Sequence, residues 1–254
     1  MILEVCVDSV DSAVTAQRGG AERIELCCSL SEGGITPSAG LIRQVRSALE
    51  IPICVIIRPR GGDFVYNDSE FQVMREDVLT ARSLGCDGVV LGVLTAGNEV
   101  DQVRTRELIE LARPMMVTFH RAIDVVSDLD SALEAVIACG ADRILSSGGR
   151  TNALAGASQL AKMRRTAGSR IAVMAGAGVR ISNVRRLVEA SGVDEVHTSL
   201  GSENKSTEDR SRAGDRMGVQ GRARQTIREE DVRSFRNELL HSQSVLLAEL
   251  PSSL

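Results

Sequence analysis

Aromatic residues are scarce in this 254-residue chain, which contains no Trp, one Tyr and four Phe. Flat rings on which nucleic-acid bases could stack are therefore few. The 30 basic residues are outnumbered by 34 acidic ones, for a net charge of −4, and they form no basic block. The electrostatic pattern of nucleic-acid binding is thus missing, and no apolar run approaches the roughly 18 residues of a membrane span. We predict neither a nucleic-acid partner nor membrane insertion.

Lysine is nearly absent from the chain. Lys162 and Lys205 are the only two lysines, and the other 28 basic residues are arginines. Lys162 lies in a predicted helix and Lys205 in a polar segment. Aldolases that form a Schiff base on a barrel strand need a lysine on that strand. The sequence therefore excludes this mechanism.

Six cysteines are present, but no CxxC, CxxH or HxxxH spacing occurs. Local sequence therefore predicts no preformed zinc site. The N-terminal residues MILEVCVDSVDS lack the basic start and the long apolar run of a signal peptide, which predicts a cytoplasmic location. Reducing conditions there keep thiols free, so we expect no disulfides.

A repeated pattern organises the first 200 residues. A glycine, an acidic residue and a short apolar run recur in GGAERIEL (19–26), GCDGVVL (85–91), GADRILSS (140–147) and GVDEVHTS (192–199). Further apolar runs lie between them at 2–7, 53–58, 115–121 and 170–176. A glycine that ends a helix and precedes an apolar run is typical of a helix-to-strand junction. The pattern predicts eight strands.

Helical spacing of apolar residues alternates with these strands. The predicted helices cover 10–18, 38–49, 69–84, 101–112, 128–139, 155–166 and 181–190. Ser38, Asp128 and Ser182 are candidate capping residues. Strands that alternate with helices form parallel sheets. Eight such units predict an α/β fold, a closed (β/α)8 TIM barrel. An open doubly wound sheet is the alternative, but DSVDSA follows the first strand where GxGxxG would be expected.

The chain after the eighth strand reads differently. Residues 201–226 are polar and charged and predict a long loop, either a solvated loop or a lid over the barrel mouth. A last helix is expected at 229–248. We expect residues 1–254 to form one barrel domain. The leucine-rich surface at 239–250 could bury against another copy, which predicts a homo-oligomer.

Charged residues occupy positions that should point into the barrel, because the alternate positions must be apolar to meet the helices. Glu4, Glu25 and Arg58 fall on this inward parity, and His120 ends the fifth strand. They could form an internal ion-pair network or a functional site. The carboxyl ends of barrel strands carry catalytic residues, so Glu25, Arg58 and His120 are the catalytic candidates.

Glycine-rich loops follow the later strands at the same end. Loop amides bind phosphate or carboxylate, and an arginine can pair with such an anion through two hydrogen bonds. The second arginine of the Arg58-Pro-Arg60-Gly61-Gly62-Asp63 loop could add to this site or be tied to an acidic neighbour. The anion-binding candidates are Arg60, Gly148, Gly149, Gly176, Gly178 and Ser199.

Two inward cysteines, Cys6 and Cys27, lie near the ends of neighbouring strands. A pair of thiolates suits a soft ion such as Cu(I). Inward residues of neighbouring strands lie in different layers, however, so contact is not assured. Buried cysteines also act as small hydrophobic residues. Metal binding and core packing both remain open at this point.

Several motifs together resemble the CutC proteins over roughly residues 1–200. They are EVCVDSVDSA (4–13), GGAERIELC (19–27), SEGGITPSAG (31–40), IRPRGGDFVYNDSE (57–70), VTFHRAID (117–124) and MAGAGV (174–179). The resemblance implies a cytosolic, oligomeric TIM barrel with a role in copper homeostasis. It further implies Cu(I) binding by the cysteines that match Cys6 and Cys27.

Two functional hypotheses follow. The first is a copper-handling protein that holds Cu(I) between Cys6 and Cys27. The second is an enzyme that acts on a small phosphorylated or carboxylated metabolite, with the anion held by the arginines and glycines and with Glu25 or His120 as acid and base. The partner is accordingly a copper ion or a small anion.

Overall fold

A closed eight-stranded parallel barrel forms the centre of the molecule. The computed structural model describes residues 1–200 and 226–248, with side chains up to residue 241. Each strand pairs with the next one along the chain, and the eighth pairs with the first, which confirms the predicted TIM barrel. The strands are β1 (Ile2–Val7), β2 (Arg23–Leu26), β3 (Ile53–Ile56), β4 (Gly88–Leu91), β5 (Met116–Phe119), β6 (Arg143–Ser146), β7 (Ala172–Ala175) and β8 (Glu195–Thr198).

Eight α-helices among the described residues surround the barrel. They are α1 (Val10–Arg18), α2 (Ala39–Ala48), α3 (Asp68–Ser83), α4 (Gln102–Ala112), α5 (Leu129–Cys139), α6 (Ala157–Ala167), α7 (Val184–Ser191) and α8 (Glu229–Ala248). Two short 3-10 helices, Leu30–Glu32 and Arg121–Val125, follow β2 and β5. The bounds of α8 match the predicted last helix.

Side-chain caps fix where several helices begin. Ser38 accepts a hydrogen bond from the Leu41 N–H at the start of α2, and Asp128 accepts two at the start of α5. Both residues are therefore caps, as predicted. Helix α7 begins after Asn183, so Ser182 lies before the helix and is not its cap.

The strands have an apolar outer face and a mixed inner face. Outward residues such as Leu3, Val5 and Ile24 pack against the helices in one continuous hydrophobic core. A second, much smaller apolar cluster lies inside the barrel and consists of Cys6, Cys27, Cys54, Ile56 and Val90. The interior also carries the charged side chains of Glu4, Arg23 and Glu25, and for Glu4 and Glu25 the parity of the strands predicts this.

Helix α8 packs against both α1, in the first unit of the barrel, and α7, near its end. Val232 packs against Gly19 at the end of α1, and Glu238 pairs with Arg185 of α7 at 2.7 Å. Residues 201–225 of the predicted loop and residues 249–254 lie outside the described residues, so the extent of one domain over 1–254 stays a prediction. Within the described ranges, no helix is long and apolar enough to cross a membrane.

Candidate functional site

A cavity of about 330 Å³ opens at the carboxyl end of the barrel. Cys6, Glu25 and His197 lie on its inner side, because each is an inward residue of β1, β2 or β8. Arg58 and His120 line it from the segments that follow β3 and β5. Catalytic and binding residues of TIM barrels gather at this end. The cavity is therefore the candidate functional site.

An ion-pair network fills the barrel below the cavity. The Arg23 guanidinium lies between the Glu4 carboxylate, at 2.5 Å, and the Glu195 carboxylate. Arg143 reaches Glu195 at 3.2 Å from the opposite side of the barrel. Burial raises the pKa of the Glu4 carboxyl, but the charge of Arg23 and the hydrogen bond from His197 outweigh it and bring the pKa down to about 2. Glu4 is therefore ionised and fully buried.

His197 connects this network to the cavity. Its Nδ1 lies 2.8 Å from Glu4 Oε1, and its Nε2 lies 3.6 Å from Glu25 Oε2. Burial lowers the pKa of His197, but the negative charges of Glu25 and Glu4 outweigh it and raise the pKa above its ordinary value. Burial also raises the pKa of Glu25, against the charge of His197. The imidazole is thus held between two carboxylates.

Cys6 of β1 and Cys27, the residue after β2, are in contact, although they are not register partners. Their sulfur atoms are 3.6 Å apart. Cys27 Sγ also donates to the Val7 carbonyl at 3.5 Å, and Gly34 covers it from outside. Only Cys6 of the two lines the cavity. The hydrogen bond with Cys27, burial and the charge of Glu25 all raise the pKa of the Cys6 thiol.

A potential metal-binding cluster surrounds Cys6. The ligand atoms of Cys6, Glu25 and His197 all lie within 4.8 Å of one another. With Cys27 beside Cys6, the donor set contains two sulfurs, one carboxylate and one imidazole. A metal–sulfur bond is about 2.3 Å long, so two sulfurs on one ion lie at most about 4.6 Å apart. The observed 3.6 Å fits within this limit.

Arg58 is a buried cation without an acidic partner among the described residues. Its side chain donates to three backbone carbonyls, those of Glu32 at 2.7 Å, Gly34 at 3.0 Å and Gly62 at 2.8 Å. It also lies over the Phe64 ring, with 5.1 Å from Cζ to the ring centre. Among the described residues, the Arg58 Nε–H has no hydrogen-bond partner, and neither has the buried Tyr66 hydroxyl, which lies close to the guanidinium. The sequence allowed an ion pair with Glu4 or Glu25, and the structure has neither.

His120 faces the cavity as a neutral ring. Burial and the charge of Arg58 lower its pKa to about 3. Nδ1 accepts the Ala122 N–H at 3.2 Å, so the ring proton is on Nε2, and that N–H has no partner in the described part of the chain. A ring with so low a pKa is neutral at neutral pH. This argues against the acid–base role that the sequence suggested for it.

The loop of Gly148 and Gly149 lies outside this cavity. Asp124 accepts hydrogen bonds from the Ser147 and Gly149 amides, each at 3.0 Å, and from two serine hydroxyls. The Gly148 amide binds Ser146 Oγ at 2.8 Å. A carboxylate of the chain itself therefore occupies the anion-binding amides. The structure does not bring Gly148 and Gly149 together with the other candidates.

Gly178 and Ser199, in contrast, line the cavity. Gly178 has a φ of 64°, and Ala177 before it has a φ of 81°, a left-handed conformation that is strained for a residue with a Cβ. Gly176 serves a different purpose, because a Cβ there would lie 2.5 Å from Leu145 and 3.4 Å from His197 Cβ. Its missing side chain makes room for Leu145, while the distance to His197 is an ordinary contact.

Arg60 points away from the cavity. It pairs with Glu70 at 2.6 Å and with Asp63 at 2.9 Å, and it donates to the Val65 carbonyl at 2.9 Å. These contacts tie the loop after β3 to the start of α3. They match the alternative of an arginine tied to an acidic neighbour.

The site also contains residues that the sequence did not single out as candidates. His197 lies on the inward parity of β8, which was the available signal, but its contacts with Glu4 and Glu25 depend on barrel closure. Arg180 is an exposed rim residue with no acidic partner among residues 1–200 and 226–248. No sequence pattern distinguishes it from the other arginines.

Comparison with known proteins identifies the family. The CutC family model matches residues 1–202. A CutC family protein of Chromobacterium violaceum is 50% identical over 241 residues, which is 94% of this chain and 98% of the relative. The copper homeostasis protein cutC homolog of Homo sapiens is 48% identical over 198 residues, 78% of this chain and 72% of the human protein.

Solved structures agree with this result. The CutC crystal structure from Streptococcus agalactiae matches with a TM-score of 0.75 and 33% identity, and the match covers 78% of this chain and 98% of that one. A thiamine phosphate pyrophosphorylase from Pyrococcus furiosus has a TM-score of 0.58 at 17% identity, a likeness of fold alone. On the length and identity of these matches, the chain belongs to the CutC family.

Proposed function

We propose that this protein binds Cu(I) through Cys6 and Cys27 and takes part in copper homeostasis, the role for which its relatives are named. The observation that carries the proposal is the 3.6 Å separation of the two sulfurs. Thiolates are the ligands that Cu(I) prefers. Cys6 lines the cavity and Cys27 does not, so an ion that enters the barrel mouth would reach the Cys6 sulfur before the Cys27 sulfur. Glu25 and His197 flank the pair and offer oxygen and nitrogen donors.

A reduced protein is a condition of this proposal. All six cysteines are free in the structure, and reducing conditions keep such thiols available for an ion. We therefore propose a cytoplasmic location.

We also propose that the protein forms a homo-oligomer. Light scattering on the purified protein would measure its mass and test this directly.

The experiment is an anaerobic titration with Cu(I) against a competing chelator. Wild type is compared with the Cys6→Ser/Cys27→Ser double variant and with a matched Cys86→Ser/Cys139→Ser control, whose cysteines are buried in the outer core. We expect one tightly held Cu(I) per chain in wild type and in the control, and loss of that binding in the first variant. Equal binding by all three proteins would reject the site.

A second candidate function is acid–base catalysis on a small anionic metabolite. The observation that favours it is geometric: His197 lies between Glu4 and Glu25, and both His197 and Glu25 line the cavity. A carboxylate that orients an imidazole toward a second group is a recurrent arrangement in acid–base sites. Glu4 would orient His197, and Glu25 would exchange the proton with substrate.

The test of this candidate uses metal-free protein and a screen of carboxylated and phosphorylated metabolites for a shift in unfolding temperature. Compounds that bind are then assayed for turnover. Glu25→Gln should abolish turnover, whereas Glu189→Gln, an exposed position on α7, should retain it. A screen without a single binder would reject the candidate.

A further inference from the structure

Two enclosed hydrogen-bond donors beside the cavity have no acceptor in the described part of the chain. Arg58 and His120 are each 5% exposed, and both line the cavity. Arg58 Nε–H and His120 Nε2–H lack partners among the described residues. A buried donor without an acceptor is destabilising, because it has lost its hydrogen bonds to water and gained none in return. Two such donors on one wall indicate a ligand that accepts from both.

The bonds that Arg58 does make leave one edge of the guanidinium free. The group has five N–H donors. Both hydrogens of Nη1 are used, on the Glu32 and Gly34 carbonyls, and one of Nη2 is used on the Gly62 carbonyl. The remaining donors belong to Nε and Nη2, the adjacent pair that binds a carboxylate or a phosphate through two parallel hydrogen bonds. The buried Tyr66 hydroxyl, close to the guanidinium and without a hydrogen-bond partner among the described residues, borders this pair and would share the ligand with it. The three carbonyls hold this edge in place.

The charges around the cavity also favour an anion on this wall. Arg58 has no carboxylate partner among the described residues, and Arg180 on the rim has none there either. Arg121, which also lines the cavity, is already neutralised by Asp124 at 2.9 Å. The Glu32 carboxylate lies over Gly61 rather than against Arg58. A buried positive charge is tolerated when it is paired, and an anionic ligand would provide the missing partner.

The cavity also limits the size and character of the ligand. Its volume of about 330 Å³ is at the lower end of the range for small-molecule sites, about 300–1,000 Å³. Leu30, Phe64 and Val179 add apolar surface to the lining. The half-buried Phe64 ring lies against both Arg58 and His120, and we expect it to turn when a ligand reaches their N–H groups.

We infer that this cavity binds a small oxyanion, a carboxylate or a phosphate, on the free edge of Arg58, with His120 Nε2–H as a further donor. The neutral state of His120 suits this role, since the ring then presents one fixed donor. The inference goes beyond copper binding and uses neither cysteine. It assigns the residues that would bind the anion of the acid–base candidate and rests on that candidate only for turnover.

The experiment measures binding to metal-free protein by calorimetry, with malonate and inorganic phosphate as probes. Malonamide, a neutral molecule of the same shape as malonate, is the control ligand. We expect wild type to bind one malonate or one phosphate per chain at millimolar concentrations or below and to ignore malonamide. Binding by one anion alone assigns the ligand class. No saturable binding by either anion, or equal binding of malonamide, would overturn the inference.

Variants identify the residues responsible. Arg58→Lys keeps the charge but loses the planar guanidinium and its two parallel donors, and it should weaken binding by about tenfold or more. Arg104→Lys is the matched control, because Arg104 also donates to a backbone carbonyl and lies over a phenylalanine ring but does not line the cavity. His120→Phe keeps the ring and removes the donor, and it should weaken binding less. Equal affinity in Arg58→Lys and Arg104→Lys would contradict the assignment.

A measurement on wild type keeps the test valid if Arg58→Lys does not fold. In ¹⁵N-labelled protein, one arginine Nε–H resonance should move downfield as malonate or phosphate is added and stay in place with malonamide. The absence of any such shift during saturation would place the anion elsewhere. Because copper is absent throughout, failure of the anion site leaves the Cu(I) proposal intact, and failure of the Cu(I) titration leaves the anion site intact.

Discussion

Two histidines border the same cavity in opposite electrostatic surroundings. His197 lies between two carboxylates that raise its pKa. His120 lies beside the unpaired Arg58 charge and accepts a backbone N–H, and its pKa falls to about 3. Both rings line the cavity from inward positions, His197 within β8 and His120 just after β5. Only the neighbours that barrel closure brings together separate a chargeable imidazole from a neutral one.

The low pKa of His120 makes folding stability depend on pH. An unfolded histidine titrates near pH 6.5, so below that pH the unfolded chain binds a proton that the folded protein excludes. Stability from this group is complete above pH 6.5 and declines as the pH falls toward about 3. Between pH 7 and pH 5 we expect wild type to lose about 2 kcal/mol through this group. His120→Phe should lack that loss in urea unfolding.

The control for this prediction is His241→Phe. His241 is exposed on α8, so its replacement should leave the pH profile of wild type unchanged. If His120→Phe and wild type lost stability in parallel between pH 7 and pH 5, the neutral, buried state of His120 would be wrong.

At the scale of single residues, strand parity predicts which side chains face inward but not what they contact. Glu4, Cys6, Glu25 and His120 are all buried, as the alternation in their strands predicts. The contact of Cys6 with Cys27 depends on the stagger between β1 and β2, since the register partner of Cys6 is Glu25. The surroundings of Arg58 depend on two loops, after β2 and after β3, that turn three carbonyls toward it.

At the scale of elements, the sequence pattern predicts strands and helices well because each unit repeats the same junction. Loop geometry is harder to predict. Both glycine-rich loops match an anion-binding pattern, yet the first binds Asp124 of the chain itself, and only the second lines the cavity. An internal carboxylate competes with any ligand for the same amides, and spacing alone cannot identify that competitor.

A glycine at the start of α6 tests how tightly this first loop is packed. A Cβ on Gly156 would lie 1.9 Å from the Ser147 carbonyl oxygen. Gly156→Ala must therefore displace the loop that holds Asp124, and we expect a loss of about 1–3 kcal/mol in the free energy of unfolding.

Gly40→Ala in the first turn of α2 is the matched change, since the nearest atom to its new Cβ is Ser38 Oγ at 3.8 Å. Alanine there should add up to about 1 kcal/mol through helix propensity. Urea unfolding of both variants measures the contrast. Equal stabilities would show that the contact between Gly156 and Ser147 does not constrain the loop.

At the scale of the whole molecule, α8 covers the barrel wall where the last unit meets the first. Its Phe235 is fully buried, as is Val232 against Gly19. The repeat predicted the closure of the barrel, because eight equivalent units leave no unpaired edge. The repeat does not predict how α8 packs where the last unit of the barrel meets the first, because the sequence of α8 differs from that of the other helices.

Phe235→Ala tests whether α8 belongs to the cooperative fold. Removal of a fully buried phenylalanine side chain costs about 3–5 kcal/mol, and urea unfolding should register a loss of that size. Val103→Ala, at a position that is 76% exposed, should change stability by no more than about 0.5 kcal/mol. Similar small effects at both positions would mean that the barrel folds without α8.

X-ray absorption at the copper edge of Cu(I)-loaded wild type would show whether Cys6 and Cys27 hold the ion. We expect two sulfur neighbours around a single copper, both lost in Cys6→Ser/Cys27→Ser. A copper surrounded only by nitrogen and oxygen, or a spectrum that the double substitution leaves unchanged, would contradict Cu(I) binding by these two cysteines.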